Sequence, residues 1–317
     1  MAIGAHEHFR FKSYYPNDHK LANLPRMNTV LSSSITTHRG LLICALSLLT
    51  AGLATGAPKS SLPEIGIATY TFRNFTVAEA IQKTKEVGAS VIEFHLWQKL
   101  SPAHSNQQFN VNTPETVQDW LKGQLVEAGI KPVNAYTQNP AAGTDPEVHW
   151  RKAFTMAKRL GLRALTGEPP GDQLDLVEKL VKEFDIQFCY HNHPKDPKKP
   201  DYKNWDPAFV LSLLKNRDPR MGVSLDTGHL GRSGLDAVKA TRLLQGHILS
   251  VHLKDAKEAT PESIDVPYGQ GVSNIKGVLA ELKRQKYTSY LAVEYEAISE
   301  HTMDDVKYCI QFMRDNW

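Results

Sequence analysis

Short apolar segments alternate with longer segments of helical periodicity from Glu64 to the C-terminus, and this alternation constrains the fold most. The first apolar segment is Glu64–Phe72 and the last is Tyr290–Glu296. Alternating strands and helices imply a parallel sheet whose two faces are covered. Eight strand–helix pairs fit one register here, over roughly the 250 residues that a (β/α)8 barrel needs. We therefore predict a single (β/α)8 TIM barrel.

The predicted helix ends carry local signals that support this register. Thr76 followed by Glu79 forms a capping box, and Gly88 ends the same helix. Pro114 opens the next helix and Gly129 closes it. A doubly wound open sheet is the alternative fold, and it would place a glycine-rich phosphate loop after the first strand. The sequence contains no such loop, which favours the barrel.

The N-terminal region has the layout of a secretory signal peptide. An apolar run at Gly40–Ala57 follows His38 and Arg39 and ends in small residues, and a polar stretch with two prolines comes next. We predict cleavage after Ala57 and an exported, periplasmic or extracellular protein. An uncleaved membrane anchor is the alternative, because about 18 apolar residues can just span a bilayer.

Two regions follow from this interpretation. Residues 1–57 form an N-terminal extension with the signal segment, and Met27 is the expected true start because it lies at a normal distance from the apolar run. Residues 62–317 form the barrel domain.

Composition narrows the range of partners. The net charge of the 317-residue chain is only +3, which argues against a nucleic-acid partner. No other segment is apolar enough to cross a membrane, so we expect no membrane contact after signal cleavage. The three cysteines have no spacing typical of a disulfide framework or a zinc knuckle. A small-molecule substrate is expected, and homo-oligomer formation is left open.

Ionisable residues concentrate where the predicted strands end, and functional groups of TIM barrels collect at those positions. The residues are Glu93, His95, Glu168, His191, His193, Asp226, His229, His252, Lys254, Asp255, Glu294 and Glu296. A barrel interior cannot hold several uncompensated carboxylates cheaply, whereas a bound cation would compensate them. Two imidazoles and two carboxylates suit one divalent metal ion, namely Mn²⁺, Co²⁺, Zn²⁺, Fe²⁺ or, less comfortably, Mg²⁺.

Four of these strand ends resemble a known family. The segments Tyr190–His193, Ser224–His229, Val251–Asp255 and Val293–Glu296 are similar to those of xylose-isomerase-like TIM barrels. More narrowly, the chain resembles the sugar phosphate isomerase/epimerase group. The resemblance extends from about Glu64 to Arg314, and its motifs are specific for the superfamily but not for one substrate.

The resemblance implies a metal site. Asp226, His252 and Glu294 match three family ligands. The fourth ligand is assigned to His191, at a strand position where ketose 3-epimerases carry glutamate. His193 lies two residues further on and is the competing ligand, and otherwise it contacts the substrate. A histidine at this position puts the proton-transfer scheme of the epimerases in doubt.

The mechanism that follows is proton abstraction next to a metal-polarised carbonyl, through an enediolate. The candidate bases are Glu294 and Glu168. By resemblance His229 contacts substrate oxygens, and Lys254 could steady an oxyanion. Glu296 is a further substrate-binding candidate.

Several alternatives stay open at this point. The same proton abstraction would make a lyase if the substrate were a keto-glycoside with a leaving group. A non-catalytic carbohydrate-binding barrel and a DNA-repair endonuclease are weaker readings. A phosphorylated substrate would need a basic cluster, for which the loop Pro194–Asn204 offers four lysines. Trp97, Trp205 and Phe72 could stack on a sugar ring, and Glu93 and His95 are expected to be structural or to line the pocket.

Overall fold

The computed structural model describes residues 61–104 and 106–317, and these form a closed parallel barrel. The predicted extension, including the signal segment and Met27, lies outside the described residues. The barrel strands are β1 Glu64–Ala68, β2 Val91–His95, β3 Lys131–Tyr136, β4 Ala164–Gly167, β5 Gln187–His191, β6 Met221–Asp226, β7 Ile248–Leu253 and β10 Tyr290–Val293. Their order around the barrel is β1-β10-β7-β6-β5-β4-β3-β2, which confirms the predicted TIM barrel.

Helices cover the outside of the barrel. They are α1 Val77–Glu86, α2 Glu115–Ala128, α3 Pro146–Leu160, α4 Leu174–Phe184, α5 Pro207–Leu214, α6 Thr227–Arg232, α7 Ala237–Leu243, α8 Ile275–Arg284 and α9 Thr302–Asn316. Two short strands, β8 Asp255–Ala256 and β9 Asp265–Val266, pair antiparallel beside the barrel mouth. Within the described residues, no helix has both the length and the apolar character needed to cross a membrane.

The predicted helix signals act as expected. The Thr76 hydroxyl accepts a hydrogen bond from Glu79 N at 3.3 Å, and the Glu79 carboxylate accepts one from Thr76 N at 2.8 Å. This capping box satisfies two backbone donors at the start of α1. At the C-terminal end of the next helix, α2, Gly129 adopts a left-handed φ of 70°, a conformation that glycine reaches at no steric cost.

The first strand is shorter than predicted. It ends at Ala68, and Thr69–Phe72 forms a turn of 3₁₀ helix instead. The Thr69 hydroxyl accepts a hydrogen bond from His95 N at 2.9 Å, and the Thr71 hydroxyl accepts one from Tyr295 N at 3.0 Å. These two hydroxyls take the place of the backbone carbonyls that would accept the same amides in a regular sheet. The chain therefore leaves the strand direction and turns across the barrel mouth.

A hydrogen-bonded polar layer lies inside the barrel, beneath its mouth. Tyr290 donates to Glu93 Oε2 at 2.6 Å, and Asn134 Nδ2 donates to the Tyr290 hydroxyl at 2.8 Å and to Thr166 Oγ1 at 2.7 Å. All four side chains are buried. Buried polar groups are tolerated when each has a hydrogen-bond partner. This layer lies directly beneath the residues at the barrel mouth and supports them.

Candidate functional site

The four predicted metal ligands converge at the C-terminal end of the barrel. His191, Asp226 and His252 each place one donor atom within 4.8 Å of the others, and Asp226, His229 and Glu294 do the same. The two sets share Asp226. The strands and strand ends that carry them are neighbours in the barrel, which explains why residues far apart in sequence meet here.

The two oxygens of Asp226 have different environments. Oδ1 accepts a hydrogen bond from His229 N at 2.8 Å and caps α6. Oδ2 is buried and makes no hydrogen bond with any described residue, although Lys254 Nζ lies 3.2 Å away. Asp226 Oδ2 thus has an ion pair but no hydrogen bond, and a buried carboxylate oxygen in this position retains lone pairs for a cation. The donor set around Asp226 therefore fits a divalent metal ion.

His252 lies between two carboxylates. Its Nε2 is 2.9 Å from Glu93 Oε1, and its Nδ1 is 3.1 Å from Glu294 Oε2 and 3.9 Å from Asp226 Oδ2. Both ring nitrogens thus lie against carboxylates, which outweigh burial and raise the pKa of His252. Glu93 fixes the ring orientation through Nε2, and a metal ion at Nδ1 would take the place of the proton shared with Glu294. Glu93, expected from the sequence to be structural or pocket-lining, is thus the partner that holds His252.

Lys254 is buried and provides the local positive charge. Its Nζ lies 2.9 Å from Glu294 Oε2 and 3.2 Å from Asp226 Oδ2, and it forms an ion pair with Glu296. Burial disfavours the ammonium, but these three carboxylates outweigh it and raise the pKa of Lys254. Three carboxylates thus face this ammonium, which points at them rather than at the open pocket.

Glu168 has both carboxylate oxygens engaged. Oε1 pairs with His193 Nδ1 and accepts from the Tyr136 hydroxyl at 3.4 Å, and Oε2 accepts from Tyr202 at 2.6 Å and from Asn204 at 2.7 Å. Burial opposes ionisation of Glu168, but these hydrogen bonds outweigh it and lower its pKa. An ionised carboxylate with this many donors is well suited to orient His193 and the following loop.

A pocket of about 240 Å³ opens above these groups. It is lined by Tyr70, His95, Trp97, Tyr136, Gln138, His191, His193, His229, Glu294 and Glu296. Burial lowers the pKa of both His191 and His229, so their rings are held neutral. His193 stacks on His229 with ring centroids 4.9 Å apart.

The three aromatic residues that were predicted to stack on a sugar ring lie in different environments. Trp97 lines the pocket. Phe72 is 1% exposed and belongs to the hydrophobic core, and Trp205 lies beneath the ammonium of Lys195 at 5.0 Å. Sequence reasoning did not find Tyr70, Tyr136 or Gln138, because nothing in their local sequence distinguishes a pocket wall from a core position.

The closed parallel barrel and the ionisable cluster at its C-terminal mouth define a TIM-barrel protein with its site where barrel enzymes carry theirs. Residues 81–316 match the family described as the xylose isomerase-like TIM barrel, and the chain belongs to that family.

Three similar proteins illustrate the range of this family. The rhizopine catabolism protein MocC of Rhizobium meliloti is 27% identical over 157 residues, which span 44% of this chain and 46% of that protein. An uncharacterised protein structure from Parabacteroides distasonis is 29% identical, with a TM-score of 0.62 and coverage of 80% of this chain and 98% of the other. A sugar phosphate isomerase/epimerase from the same organism shares 15% identity, with a TM-score of 0.57 and coverage of 81% and 97%. At 15% identity the likeness shows the fold alone.

Proposed function

We propose that this protein is a metal-dependent sugar isomerase or epimerase. The observation that carries the proposal is Asp226 Oδ2, a buried carboxylate oxygen without a hydrogen bond, at the centre of imidazole and carboxylate donors. Membership of the xylose isomerase-like family supports the same reaction class.

His191, Asp226, His252 and Glu294 would hold the metal ion. When bound there, a divalent cation supplies Lewis-acid polarisation of a carbonyl group. The strand-five position favours His191 over His193 as the ligand, because His191 shares a donor set with Asp226 and His252. His193 is instead tied to Glu168 through Nδ1, which turns its other nitrogen toward the pocket.

Glu294 is the better placed base. Its Oε2 faces Lys254 and His252, whereas its Oε1 lies 3.5 Å from His95 Nε2 among the pocket residues. Burial opposes ionisation of Glu294, but Lys254 and His252 outweigh it and lower the pKa of this carboxyl, so the group is ionised and its Oε1 is the oxygen that faces the pocket. Glu294 would take the proton from the carbon beside the substrate carbonyl and deliver it to the former carbonyl carbon, while the hydroxyl proton of the first carbon passes to the former carbonyl oxygen, which gives the isomer.

The other pocket residues would orient the sugar. His229 and Glu296 face the pocket with polar groups that can bond to hydroxyls, and Tyr70 and Trp97 provide aromatic walls for the apolar face of a ring. Glu168 orients His193 rather than acting as the base, since its oxygens already accept hydrogen bonds.

Metal analysis and isotope exchange test the proposal. The purified mature protein should contain about one divalent ion per chain. In D₂O with added Mn²⁺ or Co²⁺, it should incorporate solvent deuterium beside the carbonyl of at least one ketose among D-fructose, D-tagatose and D-allulose.

Asp226→Asn should lose the metal and lower the exchange rate by at least about 100-fold, because removing one partner of a buried charged site is strongly destabilising to that site. Asp206→Asn, at the exposed cap of α5, is the matched control and should retain both. A wild-type protein without stoichiometric metal, and without gain from added ions, would contradict the proposal.

A lyase acting on a keto-glycoside is the second candidate. The observation that favours it is a larger cavity adjoining the pocket at His193, which gives room for a leaving group. Product analysis separates the two reactions, because a lyase releases an aglycone whereas an isomerase conserves the mass of the sugar.

A further inference from the structure

A second cavity of about 650 Å³ adjoins the pocket. His193 belongs to the walls of both, and Glu168 lies beside it on the floor of the larger one. The inner pocket, at about 240 Å³, is below the roughly 300–1,000 Å³ that is usual for ligand clefts. A ligand in the inner pocket therefore has room to extend past His193 into the larger cavity.

Two loops form the walls of this larger cavity, which we call the outer cavity. The loop after β5 contributes Pro194, Pro197 and Tyr202, and the loop between β8 and β9 contributes Pro261. Three proline rings and one phenol ring stand among seven ionisable side chains of both signs in its lining. Apolar surface with polar groups at fixed positions is the composition of clefts that hold small organic ligands, and these polar groups can bond to the hydroxyls of a sugar.

The first loop is fixed to the site itself. Tyr202 and Asn204 donate to Glu168 Oε2 at 2.6 and 2.7 Å, and Lys195 N donates to Ser233 Oγ at 3.0 Å. The outer cavity is thus held by the same carboxylate that orients His193. The inner pocket and the outer cavity meet at His193, whose orientation Glu168 fixes.

The charges of the outer cavity do not form an anion site. Lys199 lies 3.6 Å from Asp196 Oδ2, and the ammonium of Lys195 lies over the Trp205 ring at 5.0 Å. Lys198 makes no ion pair with a described residue, but Glu262 shares its cavity wall. A phosphate group needs several convergent cations, and lysines interleaved with carboxylates do not provide them.

We infer that the substrate has two parts: a sugar ring in the inner pocket and a second, uncharged sugar ring in the outer cavity, joined beside His193. The outer cavity is a subsite for this second ring and not for a phosphate. The inference rests on the proposed function, because it takes the inner pocket to hold a sugar.

Calorimetric titration of the metal-loaded protein tests the subsite. The probes are D-glucose, D-glucose 6-phosphate, cellobiose, lactose, maltose and sucrose. At least one disaccharide should bind about tenfold or more tightly than D-glucose, whereas the phosphate ester should show no such gain. Equal affinity for D-glucose and every disaccharide would overturn the subsite, as would a gain confined to the phosphate ester.

Substitutions that fill the outer cavity test whether the second ring binds there. Pro261→Trp and Pro197→Trp fill the outer cavity from opposite loops, and each should abolish the disaccharide gain while D-glucose affinity and metal content stay unchanged. Lys257→Trp, on the same loop as Pro261 but outside the cavity lining, is the matched control and should keep the gain. A gain that survives in both filled variants refutes the assignment.

The failure of this inference differs from that of the proposed function. Deuterium exchange that is absent, with an intact disaccharide gain, counts against the isomerase chemistry alone. Normal exchange without a disaccharide gain counts against the outer subsite alone. Absence of exchange with all three ketoses, together with absence of binding by every sugar in the panel, overturns both.

Discussion

The Asp226 carboxylate shows how one residue can serve two purposes. From the sequence, capping of the next helix and metal ligation are competing explanations for this aspartate. In the structure Oδ1 caps α6 through His229 N, and Oδ2 remains available beside His252 and Lys254. The cap fixes the carboxylate plane, so the rigidity of the helix start is passed to the candidate ligand atom.

Glu93→Gln should weaken metal binding without unfolding the barrel. Glu93 Oε1 holds His252 Nε2 at 2.9 Å, and loss of such a partner typically costs 10–100-fold in metal affinity. Competition titration with Co²⁺, read from its visible absorption spectrum, measures both affinity and ligand geometry. A Co²⁺ spectrum and affinity equal to those of the wild type would show that Glu93 does not position His252.

Tyr290→Phe supplies the matched control for this variant. Glutamine at position 93 would place an amide N–H against the Tyr290 hydroxyl, which already donates to Glu93 Oε2 at 2.6 Å. Removing that hydroxyl relieves the clash and leaves Thr166 Oγ1 as the acceptor for Asn134 Nδ2, so Glu93→Gln with Tyr290→Phe should recover part of the thermal stability while metal affinity stays low. Recovery of both thermal stability and metal affinity would show that Glu93→Gln weakens metal binding through packing.

The sequence could predict which residues meet but not how their atoms are arranged. His191, Asp226, His252 and Glu294 are found at strand ends, and parallel strands bring such ends together. The contact of Glu93 with His252 joins residues 159 positions apart across the barrel. Its orientation depends on packing across the barrel interior, which carries no local sequence signal.

Among the secondary-structure elements, existence and order were predictable and several ends were not. The last barrel strand is predicted over Tyr290–Glu296 and stops at Val293. Tyr295 N donates to Thr71 Oγ1 and Glu296 N donates to Asp265 Oδ2, so these amides leave the sheet for side-chain partners. Helix α6 and the β8–β9 pair were missed because each is short and is held by buried carboxylates, Asp226 and Asp255 respectively.

The loop at residues 194–204 should depend on Glu168. Glu168→Ala removes the acceptor shared by Tyr202 and Asn204, so amide hydrogen exchange in this loop should accelerate by about tenfold while the barrel strands stay protected. Exchange measured by mass spectrometry checks this. Tyr202→Phe removes one of the two bonds and should give an intermediate rate. Unchanged exchange in both variants would mean that the loop is held by other contacts.

Helices α7 and α8 are joined by a charged cluster whose contribution should depend on pH. Glu281 accepts hydrogen bonds from Arg284, Gln285 and Arg242, and the Arg284 bond is the main cause that lowers its pKa from 4.5 to about 2. A depressed carboxyl pKa stabilises the fold above the unfolded-state pKa, and that contribution is lost as the pH falls toward 2.

Glu281→Gln should therefore lower Tm by about 2–4 °C at pH 7, and the difference from wild type should shrink between pH 4.5 and pH 2. Differential scanning calorimetry across that range measures it. Glu300→Gln, at a strongly exposed side chain, is the control and should leave Tm unchanged. A difference that does not vary with pH would point to packing instead of charge.

At the scale of the whole molecule, we expect the N-terminal segment to determine where the barrel operates. We expect the exported protein to begin at Pro58, because the apolar run Gly40–Ala57 ends in small residues before a polar stretch. N-terminal sequencing of the secreted protein tests this, and Ala57→Glu should block the cleavage. Retention of the uncleaved segment in the membrane fraction would indicate an anchor instead.

The buried ammonium of Lys254 bears on whether the chain folds before or after it binds a metal ion. Small metallodomains that rely on their ion to offset buried ligand charge remain unfolded until they are loaded. Here a lysine already offsets part of the charge on Asp226 and Glu294. Folding need not wait for metal uptake. The compartment in which the finished barrel resides, rather than the site of synthesis, would then decide which ion it acquires.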